Sequence, residues 1–148
     1  MKLIPPALGL TLALAAAAQA HAAPQVSGAW SRPAVAGSTG AGFMTLTNPG
    51  KTADALVAVE SPAAKRTEIH RSSMAGGIMK MERQDRVALA PGARVTFAPG
   101  GYHLMFMGLT RALKTGDRVP ATLVFASGAK LSAEFEVRVA PPAGHAHH

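Results

Sequence analysis

Between Leu131 and Val139 the chain alternates strictly. Leu131, Ala133, Phe135, Val137 and Val139 are apolar, and Ser132, Glu134, Glu136 and Arg138 between them are polar. A period of two puts one side of a strand in a core and the other in water. The alternation therefore predicts a half-buried strand over Leu131–Val139, paired through Ala126-Ser127-Gly128-Ala129 with a strand over Thr122–Phe125. Shorter apolar or alternating runs predict further strands at Val26–Ser31, Gly42–Thr47, Ala55–Val59, Thr67–Arg71, Ile78–Met81, Arg86–Leu89, Arg94–Ala98 and His103–Met107. Turn residues separate them: Asn48-Pro49-Gly50, Gly76-Gly77, Pro91-Gly92, Pro99-Gly100-Gly101 and Thr115-Gly116-Asp117. Many short strands divided by such turns, with no sustained helical period and no internal repeat, predict an all-β sandwich or small barrel in one domain.

The first residues follow a different pattern. Met1-Lys2 is a short positive start, Leu8 to Ala18 is uncharged and mostly apolar, and Ala18-Gln19-Ala20 and Ala20-His21-Ala22 are small-x-small sites. This is the layout of a bacterial-type secretory signal. Residues 1–22 are expected to be removed, with cleavage after 20 or 22. The apolar stretch is shorter than the roughly 20 residues a spanning helix needs, and no stable membrane insertion is expected. The expected location is the periplasm, as an exported soluble protein. The β domain is expected over residues 23–140, followed by a flexible His-containing tail over 141–148.

Composition narrows the chemistry. There is no cysteine, which excludes disulfides, iron–sulfur clusters, thiolate nucleophiles and the thiolate-ligated blue-copper centre. With 48% hydrophobic and 16% charged residues, the chain is not of the disordered class. One Trp, one Tyr and five Phe give little surface for stacking bases, so no nucleic-acid partner is expected. The formal charge is +7, or +6 without Lys2, and the basic residues are spread rather than blocked.

What remains is imidazole and thioether. The body, Val26 to Ala140, holds two histidines, His70 and His103, and five of the seven methionines lie between Met74 and Met107. Methionine used only as core filler would be scattered more widely. His103 and Met105 are two apart on a predicted strand, so their side chains leave the same face. Met79 and Met81 repeat the relation after Gly76-Gly77, and His70 ends another strand. Three short segments thus offer imidazole and thioether together. Thioether is a soft, neutral donor that favours Cu(I), and imidazole suits copper in either state. Zinc and hard ions prefer other donors. Such a site functions near neutral pH and weakens as histidine protonates.

The spacing from His70 through Met81 to His103-Leu104-Met105 is H-x10-M-x21-H-x-M. It resembles the signature of the periplasmic copper chaperone family called PCuAC. Ala29-Trp30-Ser31-Arg32, Leu46-Thr47-Asn48-Pro49-Gly50, Met79-Lys80-Met81 and Gly100-Gly101-Tyr102-His103-Leu104-Met105-Phe106-Met107-Gly108-Leu109 are similar to the family as well. The resemblance runs from about Val26 to Val139. It implies a cupredoxin-like Greek-key barrel or sandwich with Cu(I) held by His70, Met81, His103 and Met105. It also implies delivery of that copper to the copper centres of cytochrome c oxidase during assembly. The partner would be the oxidase copper-site subunit or another periplasmic copper chaperone. Family members often carry acidic and Met residues straight after the first His, where this chain has Arg71 and Ser72. Met74, Met79 and Met107 are candidate auxiliary ligands. The histidines of the tail, His145, His147 and His148, resemble extensions that imply a second, Cu(II), site.

Three other readings compete. An enzyme with oxidising copper at an N-terminal His21 would need that cleavage product, and the body has no unused histidine for it; no nucleophile-elbow pattern marks a hydrolase. The chain is therefore expected not to be an enzyme. A β-sandwich interaction module, or a copper buffer without a transfer role, would keep the fold and lose the delivery. An electron-transfer cupredoxin would need the missing thiolate.

Overall fold

A computed structural model describes residues 2–4 and 22–142. Ten strands follow in order: β1 Gln25–Ser31, β2 Gly40–Thr47, β3 Asp54–Glu60, β4 Ala64–Ala75, β5 Ile78–Arg83, β6 Val87–Leu89, β7 Arg94–Phe97, β8 Tyr102–Leu109, β9 Arg118–Phe125 and β10 Lys130–Val137. Every one overlaps a strand expected from the alternation. No helix among the described residues is long and apolar enough to cross a membrane. The predicted leader and the tail histidines His145, His147 and His148 lie outside the described residues, apart from residues 2–4 and 22 of the leader.

The strands form one ladder in the order β5-β4-β8-β2-β1-β10-β9-β3-β6, with β7 on β2. Among the described residues the only parallel pair is β1 with β10, which joins the first of these strands to the last. The ladder does not close; β5 and β6 remain at its ends. It folds over on itself instead. Phe106 of β8 meets Phe135 of β10 edge-on at 5.6 Å between ring centroids, although two strands separate them along the ladder. Inward residues from both layers fill the space between: Leu46, Leu56, Leu89, Leu104, Phe106, Leu123 and Phe135 are all fully buried. Each such side chain contributes about 1.5–3 kcal/mol of transfer free energy. With no cysteine available, this packing holds the fold.

Three of the strands whose bounds differ from expectation show why. β4 is 12 residues long, against the five of Thr67–Arg71, because its second half pairs with β5 in a hairpin beyond the core. No inward face is needed there, so no apolar alternation announces it. β9 begins at Arg118, before Pro120. Proline lacks the N–H that a central strand donates, but β3 pairs with β9 only from Thr122 onward, so Pro120 sits at a local edge. β10 stops at Val137, and Val139, expected on its inward face, is 80% exposed. At that end β10 runs out of partners: its pairing with β1 ends at Ser31 opposite Val137.

Candidate metal centre

The site is built on the ladder β5-β4-β8. On β4, Ile69 is buried against Leu104 of β8, so Arg66, Glu68, His70, Ser72 and Met74 leave the opposite, outer face. On β8, Leu104 and Phe106 point inward with no exposure, so His103, Met105 and Met107 leave that same outer face. Register then matters. His70 stands directly opposite His103, Glu68 opposite Met105 and Arg66 opposite Met107. On the other side, Ser72 stands opposite Met81 and Met74 opposite Met79. The fold thus brings His70, Met81, His103 and Met105 onto one face as neighbours.

The two imidazoles are the inner part of this cluster. Their ring centroids lie 5.9 Å apart with planes inclined at 49°, and His103 is buried at 5% exposure. Each ring has one nitrogen engaged. His70 Nε2 lies 2.8 Å from Glu68 Oε2. His103 Nδ1 lies 3.1 Å from the carbonyl oxygen of Gly101. An ionised carboxylate and a carbonyl can only accept, so the engaged nitrogens carry the protons. In neutral rings the lone pairs are then on His70 Nδ1 and His103 Nε2. Those two nitrogens are buried without a hydrogen-bond partner; among the described residues only Thr67 Oγ1 shares that condition. A buried polar atom left unpaired costs about 1–3 kcal/mol. Two of them side by side, flanked by thioethers, form a ready pair of donors for a soft cation.

The groups behind the rings fix this arrangement. Glu68 is bracketed: Arg66 Nε lies 3.0 Å from its Oε1 while His70 occupies Oε2. The hydrogen bond from His70, helped by the charges of Arg66 and Arg83, holds its carboxyl below the usual carboxylate range. Burial pushes the His103 imidazole below its ordinary value, against the opposing pull of the Gly101 carbonyl; His70 and Arg32 add to the downward push. His103 is therefore neutral at pH 7. The Gly101 carbonyl also accepts the Ser72 N–H at 3.0 Å. One carbonyl thus orients His103 and tethers β4 where the hairpin leaves the core. Its direction is set by the Pro99-Gly100-Gly101 turn, in which Gly100 has φ 87° and Gly101 N–H bonds Ala98 O at 3.0 Å.

The thioethers differ in access. Met81 is 53% exposed and Met105 half-buried. Met107 shares the face, but Arg66 Nη2 lies 3.5 Å from its Sδ, beyond Met105 as seen from the histidines. Met74 and Met79 sit further along the hairpin, both exposed. Among the described residues no group of three or more His, Asp or Glu is placed to hold an ion, so thioethers have to complete any set built on the two imidazoles. Glu68 is the functional residue that sequence reasoning missed. The signal was present: Glu68-Ile69-His70 is the same i, i+2 relation that picked out His103 and Met105. A cleft of about 700 Å³ between Ala22–Pro24, the Asn48–Ala53 turn and Ser127 lies at the far end of β2 and is lined by no His or Met.

Fold and site together define an all-β sandwich domain with histidines and methionines gathered on one outer sheet face. The chain matches the family model described as "LpqE-like: Putative lipoprotein LpqE-like" over residues 24–137, and it belongs to that family. It is 34% identical over 105 residues to "Putative lipoprotein Lxx21020" of Leifsonia xyli subsp. xyli (strain CTCB07), covering 70% of this chain. The match spans 63% of that relative, less than two thirds of its length. Among solved structures, the "Copper-bound PCuAC domain from PmoF2" superposes with a TM-score of 0.67 at 24% identity, over 82% of this chain and 97% of that one. "Apo-DR1885 from Deinococcus radiodurans" gives 0.59 at 29% identity, over 93% of each chain. "CuI-DR1885" from the same organism gives 0.57 at 30% identity, over 83% of this chain and 81% of that one. The family resemblance read from the sequence holds, and the fold is the cupredoxin-like β-sandwich it implied.

Proposed function

We propose that His70, Met81, His103 and Met105 bind one Cu(I), and that the protein is a copper carrier rather than an enzyme. The observation that carries this reading is the pair of buried, unpartnered nitrogens, His70 Nδ1 and His103 Nε2, on rings whose centroids lie 5.9 Å apart. All four donors are neutral, and a soft set of this kind selects Cu(I). The set needs no deprotonation beyond neutral imidazole, and Glu68 and Gly101 fix which nitrogen of each neutral ring is free. Two of the similar solved structures are described as copper-bound and CuI forms, which supports the same cargo here.

Carriage needs release as well as grip. The imidazoles sit deepest and the Met81 thioether is the most open donor, so a partner's ligand can displace Met81 first and the histidines last. The recipient in this reading is the copper-site subunit of cytochrome c oxidase or another periplasmic copper chaperone, and the location is the periplasm. His145, His147 and His148 would form a separate Cu(II) site.

Anaerobic Cu(I) titration of the full chain against a competing chelator tests the site. One Cu(I) is expected in the body, with strong weakening in both Met81→Ala and His103→Ala; unchanged affinity in both would overturn the assignment. Mixing the loaded protein with an isolated oxidase copper domain, followed by NMR, tests delivery. Copper that stays on the carrier would make it a buffer.

A further inference from the structure

The hairpin that projects beyond the core, residues 71 to 83, places all three of its methionines on one face. On the outer face stand Met74, Met79 and Met81, with Ser72 opposite Met81 and Arg83 opposite His70. The other face carries Arg71, Ser73, Lys80 and Glu82, with Ala75 and Ile78 at the tip. Core packing cannot explain the methionines, since Met74 and Met79 are each 65% exposed. Large apolar side chains held in water on one face of an overhanging hairpin mark a surface used for contact.

The register makes the two thioethers a pair. Met74 stands directly opposite Met79, and side chains so placed have Cβ atoms about 4.5–5.5 Å apart. Flexible thioethers on such a base can close on one small ion. The tip is stiff enough to keep them opposed: Ala75 pairs with Ile78 across Gly76-Gly77, whose φ angles of 60° and 77° give the primed two-residue turn that fits strand twist. Met81 follows Met79 on the same face, about 7 Å along the strand at about 3.4 Å per residue. Thioethers therefore run from the tip to the four-donor centre with no other side-chain type interposed on that face of β5.

We propose that Met74 and Met79 form a second, weaker docking site for Cu(I) at the hairpin tip, through which copper enters and leaves the four-donor centre. The inference rests on the Cu(I) reading of that centre and adds a site to it. Two neutral thioethers favour the same soft ion, but they offer half the donors and no imidazole. The tip site is left open to a further donor from a copper-giving or copper-receiving partner. Transfer along the face exchanges thioether for thioether with the ion remaining Cu(I), so no oxidant or reductant enters.

Methyl-labelled methionine in the full chain, titrated anaerobically with Cu(I) as its acetonitrile complex and followed by NMR, reads each sulfur separately. The first equivalent should shift the Met81 and Met105 methyls. The second should shift Met74 and Met79, while Met44 in the core stays still and the rotational correlation time is unchanged. Met74→Leu with Met79→Leu should abolish the second step, leave the first intact and slow Cu(I) release to the chelator. Met74 and Met79 methyls that stay still while Met81 and Met105 move would overturn the tip site alone. A second step accompanied by a doubled correlation time would overturn it too, because the methionines would then bridge two molecules. Movement of Met74 and Met79 without Met81 and Met105 would keep the tip site and overturn the four-donor centre.

Discussion

His70 and His103 face each other across adjacent antiparallel strands, ring centroids 5.9 Å apart, each with one buried nitrogen unpaired. Separated by 32 residues along the chain, they become neighbours because Ile69 and Leu104 pack inward at the next register position. The core thus positions the donors. Each inward residue fixes the outward direction of the residue beside it.

Glu68 orients His70 by accepting the Nε2 proton at 2.8 Å. Glu68→Ala should lower Cu(I) affinity about 10–100-fold, the usual cost of losing an outer partner of a ligating histidine. Glu68→Gln should cost less, because the amide oxygen still accepts that proton. Competition titration measures the affinities. Nitrogen NMR of the His70 ring should show mixed tautomers in the alanine variant and one in the glutamine variant.

Met81 is more than half exposed, so core packing does not account for its place beside the histidines. Met81→Leu should change folding stability by less than about 0.5 kcal/mol, as exposed substitutions do. It should nevertheless weaken Cu(I) binding by at least about tenfold, because the soft donor is gone. Urea unfolding of the apo protein and Cu(I) competition on the same sample separate the two effects. Equal affinity would exclude Met81 from the ligand set.

Most of the fold was legible because strand alternation reports which side faces a core, and this core is filled by Leu, Phe and Val in strict order. β4 was legible only where it has such a side. Past His70 it pairs with β5 in water, and Arg71, Ser72 and Ser73 carry no period of two. The candidate ligands stood out because His and Met are scarce elsewhere in the body. Their convergence depends on the pairing of His70 with His103 and of Ser72 with Met81, which no single segment encodes. Glu68 was overlooked because a carboxylate beside a soft site reads as surface charge until its 2.8 Å contact is seen.

Acid should destabilise the apo protein in two windows. The unfolded chain binds a proton at His103 near pH 6.5, whereas burial lowers that value in the fold. Between the two values the unfolded state holds more protons, so stability is lost as pH falls from 7 through 6.5 toward the folded pKa. Glu68 adds the second window: its folded pKa lies below 4.5, and its contribution disappears as pH falls through that lower value. Thermal unfolding from pH 8 to 2 should show a flat region above 7 and a falling one below. His103→Gln should remove the first decline and leave the second.

Asn48 tests whether the fold can be weakened away from the site. Its buried side chain donates to Leu89 O at 3.0 Å and Thr52 O at 2.9 Å, and accepts from Gly50 N–H at 3.1 Å. Asn48→Ala would strand the fully buried Leu89 carbonyl and should cost about 1–3 kcal/mol. The residue lies at the far end of β2 from Ala41, where that strand meets Met105, so the folded variant should keep its Cu(I) affinity. Urea midpoints and competition titration check both halves.

Gly42 tests the opposite coupling, in which a change on β2 reaches the centre through β8. A Cβ at Gly42 would lie 2.7 Å from Cε2 of Phe106. That ring is fully buried and already meets Phe135 edge-on, so it cannot swing aside cheaply. Overpacking of this kind costs about 1–3 kcal/mol. Phe106 lies between Met105 and Met107, and Gly42 pairs with Leu104, the residue between His103 and Met105. Any shift of β8 that relieves the clash therefore displaces two of the four donors while leaving β5 and Met81 in place. Gly42→Ala should lower the urea midpoint and also weaken Cu(I) binding, whereas Asn48→Ala lowers the midpoint alone. Comparing the two at matched stability isolates the geometric term: equal Cu(I) affinity would mean that the centre tolerates movement of β8, and that the fixed β4–β8 register is not what holds His103 and Met105 in position.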